Sequence, residues 1–254
     1  MATTAIGIDI GGTGIKGARV NLDSGTLVGE RVKLPTPNGA EPETIAETVR
    51  DVLALIGATP TESLGVCFPA VVRHGKTMSA ANVSPRWIGF DAEVFFEREL
   101  GRPISFINDA DAAGVAEARF GAARGIGGLV IMTTLGTGIG SAFLYNGTLI
   151  PNTELGHLRV NGASAEARAS FAAKEREQLS WKRWAKRLQR YYRRLEGLFS
   201  PDLIVVGGGV SKEADQFLPL LRLDTPIVPA GLRNNAGILG AALLAAEAAD
   251  THRS

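Results

Sequence analysis

Three glycine clusters, each delivered by an apolar run, constrain this chain more than any other feature: DIGGTGIKG at 9–17, LGTGIGSAF at 135–143 and VVGGGVS at 205–211. An apolar run that stops at consecutive glycines reads as a strand ending in a tight turn. Glycine there lets backbone N–H groups approach an anion that a side chain would obstruct, and successive amides in a turn form an anion-binding nest. The repetition predicts an α/β chain whose strands end in phosphate-binding loops.

The 254 residues, 45% of them hydrophobic, are enough for one large domain or for two lobes, each with its own core. With 27 Lys and Arg against 26 Asp and Glu, the net charge of +1 gives no global field for nucleic acid or an anionic membrane, so neither is expected as a partner. The single Cys67 cannot form an intrachain disulfide, and one Cys with His74, His157 and His252 excludes a cysteine-rich zinc site. No run approaches the roughly 18 to 20 apolar residues of a membrane-spanning helix, and no export signal is read, so a reducing cytoplasm is the expected location.

Apolar alternation in AIGIDIGG, GIKGARVNL and TLVGERVKL predicts three consecutive antiparallel strands. Pro42 opens a helix with Ile45, Val49, Val52, Leu53 and Ile56 at helical spacing, LGVCF is a buried strand, Asp91 caps a second helix, and ISFI is a strand leading into a small-residue helix from Asp109. The second half repeats the plan: GLVIMTTL delivers the second glycine loop, and IGSAFLYNGTLI reads as a hairpin about Asn146-Gly147. Helical pattern fills 164–198, LIVVGG and PIVP are strands, a helix follows Ser211, and another closes the chain. Two α/β lobes are therefore expected: 1–108, joined by a closing helix at 241–254, and a larger lobe at 109–240.

Gly12, Gly14 and Gly17 match G-x-G-x-x-G, but the residues after Gly14 keep strand alternation to Val20, leaving no room for the crossover helix of a dinucleotide-binding unit. The P-loop pattern fails because Ala18, not Lys, follows Gly17. A plain tight turn remains open for each cluster, above all Gly207 to Gly209. Thr13 and Thr137 add hydroxyl donors, and Asp9 adds a carboxylate suited to holding Mg²⁺ through water.

In this order the motifs resemble those of the ROK family of sugar kinases. DIGGT is similar to its first phosphate motif, LGTGIGSAF to the second, VVGGGVS to the nucleotide-side motif, and ELGH at 154–157 to its ExGH sugar motif. The resemblance covers essentially the whole chain. It implies a two-lobed actin-like (ribonuclease H-like) ATPase/hexokinase fold with a cleft between lobes. It also implies a donor-binding set of Asp9, Gly11, Gly12, Thr13, Gly14 and Lys16, with Gly136, Thr137, Gly138 and Gly140, and with Gly207, Gly208 and Gly209.

For Asp109 the residues alone leave helix capping and general-base chemistry equally open. Its place in Asn108-Asp109, which resembles the family's ND motif, implies the base, with Asn108 on a sugar hydroxyl. Asn82, Glu154, His157 and Glu166 resemble the family's other sugar-binding positions. The stretch LRVNGASAE after ELGH lacks the cysteine cluster that binds structural zinc in many members, so zinc is not expected. In this it is similar to the polyphosphate-dependent glucokinases, which use inorganic polyphosphate, ATP or both, with Mg²⁺, to phosphorylate glucose and sometimes mannose. An ATP-only hexose or N-acetylhexosamine kinase and a catalytically silent sugar sensor are the alternatives. A start directly on the first strand disfavours the family's repressors, and homodimers are common among its members.

From Lys174 to Arg194 nine Lys or Arg stand against two Glu. Wound as a helix, Arg183, Lys186, Arg187, Arg190 and Arg194 share one side, while Trp181, Trp184, Leu188, Tyr191 and Leu195 share another. Stacking platforms for nucleic acid would share a face with the charge, and here the faces separate. The residues alone favour a solvated face; the resemblance makes Arg187, Arg190 and Arg194 candidates for a polyphosphate track.

Overall fold

The computed structural model describes residues 3–80 and 83–251. They form two compact units, Met1–Ala116 with Asn235–Ser254, and Glu117–Asn234. The division falls at 116/117 and 234/235 rather than at 108/109 and 240/241, which makes the first unit the larger. The reason is packing by small residues: a Cβ placed on Gly240 would stand 1.8 Å from the Ala112 carbonyl oxygen, so the helix after Asn108 and the closing helix meet backbone to backbone.

In the first unit the expected meander forms as β1 (Thr4–Gly11), β2 (Gly14–Asn21) and β3 (Thr26–Leu34), followed by helix α1 (Pro42–Ile56). Pro42 occupies the first turn of α1, where its missing N–H costs nothing, and Gly57 ends the helix at φ 66°. Strand β4 (Leu64–Phe68) then runs parallel to β1. A small ribbon of β5 (Val72–Arg73), β6 (Lys76–Thr77) and β7 (Phe90–Asp91) leads to α2 (Ala92–Leu100), β8 (Ser105–Asn108) and α3 (Asp109–Phe120). Asp91 stands at the N-cap position of α2 but makes no cap hydrogen bond; its carboxylate pairs with Lys76 at 3.1 Å.

The five-stranded sheet has the order β3-β2-β1-β4-β8. Alternation along β1 sends Ile6, Ile8 and Ile10 into a core with Ile45, Val49 and Val52 of α1. Gly7 and Asp9 therefore point to the opposite face, where the closing helix, Ala236–Thr251, lies against β1 and β4. That approach needs glycine: a Cβ on Gly7 or Gly65 would stand 1.9 Å from the carbonyl oxygens of Ile238 and Ala241 respectively.

The second unit repeats the plan. Strands β9 (Leu129–Leu135), β10 (Ile139–Tyr145) and β11 (Thr148–Ile150) form an antiparallel meander, turned at Asn146 (φ 50°) and Gly147 (φ 78°). After the two-residue strands β12 (Arg159–Val160) and β13 (Ala163–Ser164) come α4 (Ala165–Ala169), α5 (Phe171–Arg176) and α6 (Trp181–Phe199), then β14 (Leu203–Gly207) and β15 (Ile227–Pro229). The sheet order is β11-β10-β9-β14-β15, with β9, β14 and β15 parallel. The helical period expected over 164–198 is broken twice, because Ser170 and Ser180 leave it to cap the next helix, accepting the N–H groups of Ala173 and Arg183. The helix expected after Ser211 is a 3₁₀ stretch from Gly209 to Gln216. Among the described residues no helix is long and apolar enough to cross a membrane.

An ion pair fastens β2 to the turn before β4. Arg19 Nε meets Glu62 Oε1 at 2.5 Å and Nη2 meets Oε2 at 3.0 Å, with the Glu62 side chain only 15% exposed. The guanidinium, with the Thr59 N–H, holds the Glu62 carboxyl down to about 2 from its ordinary 4.5. A carboxyl lowered on folding stabilises the fold above its unfolded pKa, and that stability is lost as pH falls through the folded value. Arg19→Met is therefore expected to cost about 1.5–3 kcal/mol in urea unfolding at neutral pH. The difference from the parent should shrink between pH 4.5 and about 2; a pH-independent difference would remove the ion pair as its source.

Candidate active site

Strands β1, β4 and β8 run parallel, and their register sets Asp9 beside Cys67 and Phe68 beside Asn108. Groups at the carboxyl ends of parallel strands are where α/β sheets place ligands. Asp9 is paired across the β1–β2 hairpin with Lys16, whose Nζ lies 2.8 Å from Asp9 Oδ2; the side chains are 17% and 24% exposed. The other carboxylate oxygen, Oδ1, accepts the Cys67 thiol at 3.7 Å. Burial pushes the Cys67 thiol well up, and the nearby Asp9 and Asp109 charges add to this, so it remains an S–H donor. Gly237, near the start of the closing helix, faces the same pair: a Cβ there would be 3.2 Å from Cys67 Sγ and 3.3 Å from Asp9 Cγ.

Cys67 escaped the sequence reasoning, which weighed it only as a disulfide or metal residue. An apolar run gives no sign of which strand will lie alongside.

The loop from Gly11 to Gly14 is the tight end of the β1–β2 hairpin, with Gly11 opposite Gly14 and with Gly12 and Thr13 exposed at its tip. Gly17 is a packing residue, since a Cβ there would lie 2.5 Å from Ile8 Cδ1 and 2.7 Å from Val52 Cγ1.

At the end of β8 the two polar neighbours divide their tasks. Asn108 is the cap: its Oδ1 accepts the N–H groups of Ala110 at 2.8 Å and Asp111 at 3.0 Å, and its Nδ2 donates to the Ala70 carbonyl at 2.9 Å. Only 7% exposed, it has one side-chain N–H left over from these bonds, the most it has for a sugar hydroxyl. Asp109 is the first residue of α3, half-buried, with Oδ1 accepting the Ala110 N–H at 2.8 Å. The helix thus has its cap without relying on Asp109. Asn82 lies outside the described residues.

The second unit gathers the remaining acidic residues around one imidazole. Ser141 of β10 anchors the segment that carries them, donating to the Thr153 carbonyl and accepting the Leu155 N–H at 2.9 Å. His157 Nε2 lies 3.7 Å from Glu154 Oε2, and its Nδ1 lies 3.5 Å from Glu166 Oε1. Burial raises the Glu154 carboxyl above its ordinary value; His157 works against this and Glu166 with it. Glu166 reaches the second glycine loop, where a Cβ on Gly138 would stand 2.7 Å from its Oε2.

That loop is closed by Gly136 N–H donating to the Gly138 carbonyl, and α5 is tied to it by Ala172 N–H on the Gly136 carbonyl. Thr137 is exposed at its tip, and Gly140 belongs to β10. Of the third cluster, Gly207 ends β14 and Gly208 (φ 83°) is held by close approach, since a Cβ there would be 2.4 Å from the Leu135 carbonyl oxygen. Gly209 has open space.

On α6 the expected faces separate: Trp184, Leu188, Tyr191 and Leu195 are buried, Trp181 partly so, while Arg183, Lys186, Arg190 and Arg194 are exposed. Arg187 is engaged, with Nη2 on Glu177 at 2.5 Å and Nη1 on the Arg168 carbonyl at 2.9 Å. No group of three or more metal-ligating side chains is found among the described residues.

Residues 5–174 match the ROK family. The chain is 50% identical over 246 residues to the polyphosphate glucokinase of Mycobacterium tuberculosis strain CDC 1551, a match covering 96% of this chain and 91% of that one. It is similar to the crystal structure of the inorganic polyphosphate/ATP-glucomannokinase of Arthrobacter sp. strain KM, with a TM-score of 0.93 and 54% identity over 97% of this chain and 99% of that one. The ROK glucokinase of Streptomyces griseus, solved in complex with glucose and AMPPNP, gives a TM-score of 0.83 at 25% identity over 96% and 99% of the two chains. A family match over most of the sequence, with half of all residues identical along nearly its full length, leaves one assignment: the chain belongs to the ROK family and has the hexokinase-like, actin-like ATPase fold of its sugar kinases.

Proposed function

We propose that this chain transfers the terminal phosphoryl group of inorganic polyphosphate or ATP to the C6 hydroxyl of glucose, and accepts mannose as well. The observation that carries the reading is the division of labour at the end of β8, where Asn108 caps α3 and Asp109 is not needed for it. Kinship with the Mycobacterium and Arthrobacter enzymes supports the donor and sugar classes.

Phosphoryl transfer asks for alignment, neutralised charge and a base for the incoming hydroxyl. Asp109 accepts the proton of the C6 hydroxyl as its oxygen attacks the terminal phosphorus in line. Glu154, His157 and Glu166 hold the other sugar hydroxyls, and the Asn108 amide adds a donor. Backbone amides of the loops at 11–14 and 136–138, with Lys16, stabilise charge on the phosphoryl oxygens.

Asp9 is the residue that would hold a Mg²⁺ accompanying the donor phosphates. Its carboxylate offers about four lone-pair sites, of which Lys16 and Cys67 use two. A Mg²⁺ held there would supply positive charge to the donor phosphates.

The direct test is sugar-6-phosphate formation from glucose and mannose, with polyphosphate and ATP as separate donors. Asp109→Asn is expected to lower kcat by about 10² to 10⁴, the usual worth of a general base; full activity in that variant would dismiss Asp109 from the role.

Glu154 makes a second point accessible. It must be ionised to accept sugar hydroxyls, and its carboxyl is raised from 4.5, so protonation sets in at higher pH than for an ordinary carboxyl. The acid limb of kcat/KM for glucose should accordingly have its midpoint above 4.5. Glu154→Gln should raise KM and move that limb to lower pH, leaving the limb of the base; a limb unchanged in the variant belongs to another group.

A further inference from the structure

Beside α6 lies a shallow hollow bounded by β12–β13, α4 and α6. Its lining includes the arginines Arg168, Arg187 and Arg190 and no carboxylate. Arg187 is held in place by Glu177 and by the Arg168 carbonyl, so its guanidinium is oriented and partly neutralised. Arg168 and Arg190 are exposed, and among the described residues no salt bridge engages either. Charged side chains on a convex surface are ordinary. Two unpaired guanidinium groups beside a concavity without a carboxylate give it a local positive charge, and their planar donor forks match the oxygens of phosphate.

Tyr191 of α6, fully buried, closes the floor of the hollow. Asn161 and Ser164 complete the polar part of the wall.

The place of the hollow is informative. Glu166 of α4 reaches Gly138 of the second glycine loop, whereas Ala165, Arg168 and Ala169 of the same helix line the hollow. The loop and the hollow are thus neighbours of one five-residue helix. A linear polyanion extends from one to the other; a single nucleotide triphosphate tail held at the loop has no charge left to reach the hollow.

We propose that this hollow is a phosphate-binding site in which Arg168 and Arg190, oriented about Arg187, hold a phosphate of the polyphosphate chain several units from the one transferred. The phosphate chemistry stands on the hollow itself; its assignment to polyphosphate rests on the proposed function. Arg168 thereby joins the candidates drawn from the helix alone, and Arg194, which does not line the hollow, is not part of the site.

The test uses the full chain and the double variant Arg168→Gln/Arg190→Gln, with Arg168→Lys/Arg190→Lys as the charge-conserving control. Long-chain polyphosphate and ATP are compared in steady-state kinetics at low and high salt, and inorganic phosphate and glucose 6-phosphate are titrated by calorimetry and thermal shift. Unchanged circular dichroism establishes that the variants fold.

In the Gln variant the ratio of kcat/KM with long polyphosphate to that with ATP is expected to fall about tenfold, through KM, with a shallower salt dependence, as two screened contacts of under 1 kcal/mol each allow. The Lys variant should recover part of it. Loss of inorganic phosphate or glucose 6-phosphate binding with polyphosphate kinetics intact would keep the phosphate site and overturn its assignment to the chain. If neither binding nor kinetics responds, the proposal is wrong. A parent protein inactive with polyphosphate would defeat the donor reading, while the phosphate titrations would still decide the site.

Discussion

The contact on which the first unit depends is made by backbone, not side chains. The closing helix presses its carbonyl groups into the spaces that Cβ atoms would occupy on Gly7 of β1 and Gly65 of β4, and its own Gly240 admits the Ala112 carbonyl of α3 in the same way. Adding even one methyl at such a point forces a backbone shift, typically at a cost of about 1–3 kcal/mol. The chemical consequence lies one turn away. Because the helix rides this low on the sheet, Gly237 arrives against Asp9 and Cys67, and the carboxylate is enclosed by Lys16, a thiol and a helix start. Negative charge near the first turn of a helix is favourable, so the geometry that packs the helix also steadies Asp9.

A comparable economy operates at Asn108-Asp109. Two residues, both good caps, meet one helix start, and the backbone decides between them: the side chain at the cap position reaches the next N–H groups, and the one after it does not need to. The residue that caps becomes rigid and nearly inaccessible, while its neighbour keeps a partly exposed carboxylate on a fixed stem. A transition state with little bonding to the nucleophile asks its base for orientation more than for strength. A carboxylate on the first residue of a helix meets that requirement.

Much of this was legible in the residues because it is local. The meander follows from alternation, and the β10–β11 turn from Asn146-Gly147, both of which adopt positive φ. Long-range placement was not legible. Cys67 sits in a run that reads as apolar strand, and its contact with Asp9 is a matter of register between strands more than fifty residues apart. The breaks at Ser170 and 177–180 were hidden because apolar residues keep helical spacing across them. Those breaks fold the basic segment back on itself, which is how Glu177 comes to hold Arg187 and how Arg168, outside the charged run, faces Arg190. A helical wheel drawn through the break gives the right faces for α6 and the wrong partners for its charges.

The two sheets share an order, and their chemical difference is concentrated at one register position. Two residues before the first glycine loop, β1 and β2 pair Asp9 with Lys16; two residues before the corresponding turn, β9 and β10 pair Thr133 with Ser141. The ionic pair is partly exposed, where charge retains some solvation. The hydroxyl pair is buried, and each member is spent on structure: Thr133 holds Tyr192 of α6, and Ser141 holds the segment that delivers Glu154 and His157. Burying a carboxylate and an ammonium at the second position would leave two charges without water and the acidic segment without its anchor. Repetition of the fold therefore supplies two glycine loops of similar build, and the residues flanking them place an ion pair in one unit and a buried hydroxyl pair in the other.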